Sequence, residues 1–176
     1  MKIAIFCAFD TSATVEYALA AISYLEKKGH KLDLDNRLIE YISKPIDHTQ
    51  FDSSGTIDSD IDFLFSIGGD GTLLRSITFV KDSKIPILGI NTGRLGFLTS
   101  LQKETLNEAL DEFFDKKFKL VKRSLLSVEL SDINHALNNS FSFALNEISI
   151  NRKNTTSKLS IHTKNNEEYL TTYWAE

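Results

Sequence analysis

The sequence predicts an α/β protein: an open, largely parallel sheet over residues 1–101, then a linking helix and antiparallel β structure over residues 102–176. Three observations predict it. Short runs that are apolar on both sides of the pleat alternate with stretches of helical period, as parallel strands covered on both faces require. Six of the eight glycines fall between Gly68 and Gly96, so glycine is concentrated in two turns that follow strands. From Phe118 onward, short alternating runs are separated by polar turns.

Lys2 to Cys7 opens the sheet as an apolar strand. A helix is expected over 12–28, with Val15, Ala18, Leu19, Ile22 and Leu25 on one face. Lys27 and Lys28 suit its C-terminal dipole and Gly29 its C-cap. Lys31 to Leu34 alternates like a second strand, and a short helix over 36–43 is stopped by Pro45. Residues 47–60 are polar and read as a surface loop. Phe63 to Ile67 is a buried strand, Leu73, Leu74, Ile77 and Val80 recur at helical spacing, and Pro86 to Ile90 is another short apolar strand. This order is that of a Rossmann-like open sheet, which binds ligands beyond the carboxyl ends of its strands. Residues 102–117 form an amphipathic helix carrying Leu106, Ala109, Leu110, Phe113 and Phe114. Antiparallel runs follow at about 122–130, 140–151, 158–163 and 169–174, with Lys164-Asn165-Asn166-Glu167 as a hairpin turn.

Composition narrows the function classes. A formal charge of −4 leaves no basic surplus for broad nucleic-acid binding. The single cysteine, Cys7, excludes an internal disulfide and reads as core filling in a reducing compartment. No apolar run approaches a membrane span, and Asp10 ends the first apolar run with no cleavage pattern, so a first strand is expected and not a signal peptide. These features predict a cytoplasmic protein.

The chain is organised around residues 61–75, IDFLFSIGGDGTLLR. A buried strand runs into glycine, glycine, acid, glycine and hydroxyl, and a helix begins there. Glycines let the backbone approach a ligand, successive N–H groups form an anion-binding nest, and the helix adds the positive end of its dipole. Asp70 would repel phosphate unless it has a task, such as taking a proton or holding a cation. The pattern fits phosphoryl transfer. The alternative is a turn in which Asp70 or Thr72 merely caps the helix. The second turn, residues 91–98, NTGRLGFL, reads equally as a functional or an ordinary loop. Across Asn146-Glu147 the apolar alternation slips by one residue, which predicts a bulge beside a site or a bulge with two solvated polar side chains.

GGDGT resembles the signature of the NAD kinases and of the related lipid kinases and 6-phosphofructokinases. NTGRLGFL is similar to a second NAD kinase motif, and Asn146-Glu147 matches the Asn-Glu or Asn-Asp pair of that family. The resemblance runs over essentially the whole chain, strongest over residues 67–98 and 144–152. It implies transfer of a phosphoryl group to the 2′-hydroxyl of the adenosine ribose of NAD, giving NADP. The implied donor is ATP or inorganic polyphosphate, with a divalent metal cation such as magnesium. By carry-over Asp70 is the catalytic base or orienter. Asp70, Gly71, Thr72, Arg75, Asn91, Asn146, Glu147 and Glu176 are the dinucleotide-binding residues, and no metal ligand is named. Arg94 is open to a phosphate or to solvent, whereas Leu95, Phe97 and Leu98 read as packing. Glu176 stands where the family more often has Asp. Family members continue past this position into a Ser/Thr-rich phosphate loop, so the antiparallel part is expected to be an incomplete, sandwich-like domain with exposed edges. Self-association as a homo-oligomer is expected by the same analogy. A non-catalytic dinucleotide-binding fragment and a lipid kinase are the competing readings.

Overall fold

A computed structural model describes residues 1–9, 11–52, 55, 57–93, 96–99, 105–131, 142–151 and 159–175. The chain divides into two compact units, 1–123 and 124–176. The boundary expected after residue 101 thus differs from this division, because helix α3 (Leu106–Phe114) buries Leu106, Leu110 and Phe113 in the first unit's core.

The first unit is built on five parallel strands: β1 (Lys2–Cys7), β2 (Lys31–Asp35), β3 (His48–Phe51), β4 (Phe63–Gly68) and β5 (Ile87–Asn91), in the order β3-β2-β1-β4-β5. Side chains alternate across this sheet. Ile3, Ile5, Cys7, Phe65 and Ile67 face helices α1 (Ser12–Lys27) and α3. Ala4, Phe6 and Leu64 face the other way, toward Phe79 and Val80 of helix α2 (Asp70–Val80). Both faces are therefore covered, which is why the strands read as unbroken apolar runs. Thr11 caps α1 by accepting the Thr14 N–H at 3.2 Å, and Gly29 leaves the helix at φ +76°.

The expected loop over 47–60 is corrected at one point, since residues 48–51 form β3 and pair with β2. Only Phe51 of that strand is buried, and Thr49 donates to the buried Asp33 carboxylate at 2.6 Å. A polar edge strand of four residues carries no alternation long enough to read. A 3-10 helix, Asn36–Tyr41, stands where a short helix was expected.

The second unit holds two antiparallel pairs. Strands β6 (Leu126–Ser127) and β7 (Phe143–Ala144) are far shorter than the expected runs. Strands β8 (Leu159–Asn165) and β9 (Glu168–Ala175) form the hairpin read from sequence. Its turn residues Asn166 and Glu167 have φ +49° and +69°, the paired positive values of the turn that suits strand twist. The bulge expected at Asn146-Glu147 does not occur there, because β7 ends at Ala144; the described register shift lies at Thr163/Lys164.

Candidate active site

Three loops of the first unit leave the carboxyl edge of the sheet side by side. The loop after β1 is tied to β4 by the Ala8 N–H, which donates to the Ile67 carbonyl at 3.0 Å. The loop after β5 is tied to the start of α1 by the hydroxyls of Thr92 and Thr14, 3.1 Å apart. Between them β4 ends at Gly68, which pairs in register with Asn91. The strand order reverses about β1 and β4, the place where open α/β sheets hold ligands.

Gly68 turns the chain into α2 at φ +150°, and a Cβ there would lie 2.3 Å from Thr72 Oγ1. Glycine is required twice over. Gly69 and Gly71 instead face open space, with nothing within 4 Å of an added Cβ, so a ligand can reach the backbone at the head of the helix. Deeper in, the Ser76 hydroxyl lies 3.0 Å from the Thr72 carbonyl, which can only accept, and 2.9 Å from Ser66 Oγ. This buried pair pins α2 to β4.

Asp70 is the first residue of α2. Gly69 is the N-cap, with no side-chain capping bond. The Asp70 carboxylate therefore does not cap its helix; it turns to the second glycine loop. Phe97 N–H donates to Oδ2 at 2.7 Å, and Leu98 and Thr99 N–H donate to Oδ1 at 3.0 and 3.2 Å. The Thr99 hydroxyl adds a contact to Oδ1 at 3.4 Å. The Phe97 bond is the largest cause holding this carboxyl below the ordinary range; the other backbone bonds add to it and desolvation opposes it. At neutral pH the group is an oriented anion beside a helix N-terminus.

The other sequence-predicted residues are distributed as follows. Gly71 lies open on α2, and Thr72 is buried with its hydroxyl against Gly68. Arg75 is exposed one turn further along, its guanidinium 5.6 Å from the Phe6 ring centre. Arg37 reaches the same ring at 5.6 Å and forks onto the fully buried Asp35 carboxylate. Asn91 is buried, and its Oδ1 accepts the Gly93 N–H at 2.9 Å, shaping the loop that follows. Asn146 and Glu147 belong to the second unit, where both are exposed after β7. Glu176 and Arg94 lie outside the described residues. Among the described residues no group of three or more His, Cys, Asp or Glu side chains gathers to hold a metal.

Sequence reasoning missed Asp70's partners. Phe97, expected to pack, is fully exposed, and Thr99 was not singled out. Two glycine turns on one sheet edge were the available signal, but backbone donors leave no mark on residue identity.

The profile of the ATP-NAD kinase N-terminal domain matches residues 4–118. The chain belongs to the NAD kinase family. An NAD kinase of Christiangramia forsetii is 37% identical over 181 residues, spanning 100% of this chain and 61% of that protein. One of Flavobacterium psychrophilum is 38% identical over 187 residues, with the same coverage of 100% and 61%. The crystal structure of yeast NADH kinase complexed with NADH superposes with a TM-score of 0.80 at 21% identity, over 99% of this chain and 55% of that one. That likeness establishes the shared α/β fold. The chain spans about 61% of the length of the curated NAD kinases it matches.

Proposed function

We propose that this chain forms the acceptor side of an NAD kinase, presenting NAD for phosphorylation of its adenosine-ribose 2′-hydroxyl by ATP or polyphosphate. The observation that carries this reading is the Asp70 carboxylate, held by three backbone N–H groups at the head of α2. It is anchored but not buried, beside a glycine backbone open to a ligand. In the transfer, the 2′-oxygen bonds to the donor's terminal phosphorus, the bond from that phosphorus to the bridging oxygen breaks with its electron pair staying on the leaving phosphate, and the hydroxyl proton passes to that phosphate or to water. Asp70 orients the hydroxyl by accepting its hydrogen bond. With its carboxyl held below the usual range, it is better suited to aiming the hydroxyl than to storing its proton. Gly71 gives the dinucleotide a backbone contact, and Phe97 offers a base an apolar ring face. Arg75 reaches toward phosphate. Asn146, Glu147 and Glu176 hold nucleoside groups in this reading.

The described residues do not form a resident cation cage. The divalent cation is proposed as the donor's own counter-ion, carried on its phosphates. Positioning and charge neutralisation supply most of the rate in such chemistry. The lone buried Cys7 supports a reducing, cytoplasmic setting; no helix among the described residues is long and apolar enough to cross a membrane. Exposed Tyr169, Leu170, Tyr173 and Trp174 on β9 supply apolar surface for a homo-oligomer.

A second reading, a dinucleotide-binding portion without turnover of its own, is favoured by the 61% span. The deciding measurement is NADP formation by the 176-residue chain with NAD, ATP and magnesium, beside Asp70→Asn. Turnover that the variant loses, with NAD affinity retained by calorimetry, is the expected result. Near-normal turnover in the variant removes Asp70 from its assigned role. NAD binding without turnover in the parent chain selects the second reading.

A further inference from the structure

A glycine and a threonine outside GGDGT meet its acid, and a second glycine seats the threonine. A Cβ at Gly96 would lie 2.2 Å from Asp70 Oδ1 and 2.5 Å from its Cγ. No side chain can occupy that position while the carboxylate is seated. The requirement is one of close approach. Thr99, nearly buried, gives Oδ1 both its N–H and its hydroxyl. Thr99 itself rests on β5, where a Cβ at Gly89 would come within 3.1 Å of its Cα.

The four donors are unevenly shared. Oδ1 accepts from Leu98 N–H, Thr99 N–H and the Thr99 hydroxyl, whereas Oδ2 accepts only from Phe97 N–H among the described residues. A carboxylate offers about two lone-pair directions on each oxygen. Oδ1 is therefore filled, and Oδ2 keeps one direction open.

We infer that Gly96 and Thr99 are positioning residues for Asp70, Gly96 supplying the seat and Thr99 fixing Oδ1, so that Oδ2 is the atom that meets the acceptor hydroxyl. The identity of that hydroxyl rests on the kinase reading above; the seat does not. On this view the second glycine motif serves the first by fixing the direction of its acid. A misdirected carboxylate would still bind nucleotide but would align the hydroxyl poorly.

The test uses the 176-residue chain and four variants: Gly96→Ala, Thr99→Val, Thr99→Ser and Asp70→Asn. The Asp70 carboxyl is titrated by side-chain carbon NMR, assigned by its loss in Asp70→Asn, and NADP formation is followed in parallel. The parent Asp70 is expected to titrate below the ordinary value of about 3.9. Gly96→Ala should return it toward that value and lower kcat by about tenfold or more, with KM for NAD changed less than about twofold. Thr99→Val should shift the titration the same way by less, and Thr99→Ser should restore it. A folded Gly96→Ala chain with the parent's titration overturns the proposal. Should Gly96→Ala fail to fold, the threonine pair decides: Thr99→Val titrating like the parent overturns it, and a shift that Thr99→Ser reverses supports it. A parent chain that makes no NADP counts against the kinase reading alone, because the titration still reports the seat.

Discussion

Single atoms at the GGDGT turn separate stability from binding. Gly68 combines positive φ with a hydroxyl 2.3 Å from where a Cβ would stand. Gly68→Ala should cost roughly 2–4 kcal/mol, from backbone strain plus overpacking, read as a lower urea midpoint at unchanged slope. Gly71→Ala meets nothing within 4 Å and sits inside a helix, where alanine is favoured by about 1 kcal/mol. Its stability should match or exceed the parent's, while its NAD affinity by calorimetry falls. Asp70 adds a pH signature. Its folded carboxyl is held below the unfolded value, chiefly by the Phe97 N–H, so its contribution is present above about pH 3.9 and is lost as pH falls through the lowered value. The urea midpoint of Asp70→Asn should therefore decline less between pH 5 and pH 3 than that of the parent. Asp70 stood out in the sequence as an acid among turn glycines, a ligand-facing group or a helix cap, and Gly69 takes the cap. Its partners were hidden because amide hydrogens belong to every residue.

Elements were legible in proportion to how much of them is buried. Strands β1 and β4, covered on both faces, show as continuous apolar runs, and α1 shows by its period and by the lysines and glycine at its end. Strand β3 escaped because an edge strand needs only one inward residue, here Phe51. Polar composition at such an edge also discourages pairing with another chain. The 3-10 helix after β2 is anchored by the buried Asp35, which accepts the Arg37 backbone N–H at 3.0 Å and its guanidinium Nε at 2.9 Å. Arg37→Ala should destabilise the chain by roughly 2–3 kcal/mol, since it leaves a carboxylate buried without its cation while the guanidinium is itself partly solvated. Chemical denaturation measures this, and a loss below about 0.5 kcal/mol would mean that water replaces the guanidinium. Helix α3 owes its place to aromatic packing: Phe113 lies edge-on to Phe63 at 4.8 Å and to Phe65 at 5.4 Å. Phe113→Ala should cost about 3–5 kcal/mol.

At the scale of the molecule, the division after Arg123 assigns α3 to the sheet it covers. Residues 1–123 made alone should unfold cooperatively in urea, with a midpoint close to that of the sheet in the 176-residue chain. The second unit was legible as antiparallel β and its hairpin turn was read correctly, but β6 and β7 cover only two residues each. Alternation in a sequence marks which residues are able to pair and not how far pairing extends.

The strand order has a consequence for the time at which this chain acquires its shape. The first strand to be synthesised is the middle one, flanked by β2 and β4, with Ile3 beside both Leu32 and Phe63. On a translating ribosome β1 would wait unpaired on one side until the GGDGT strand emerged, a long-range contact that slows folding. The same event pairs the second edge of β1 and creates the turn that carries Asp70. A nascent chain arrested before Gly68 therefore lacks the turn, and one arrested just beyond β5 still lacks Phe97–Thr99 to seat Asp70 and α3 to cover the sheet, so seat and core close only once α3 has emerged.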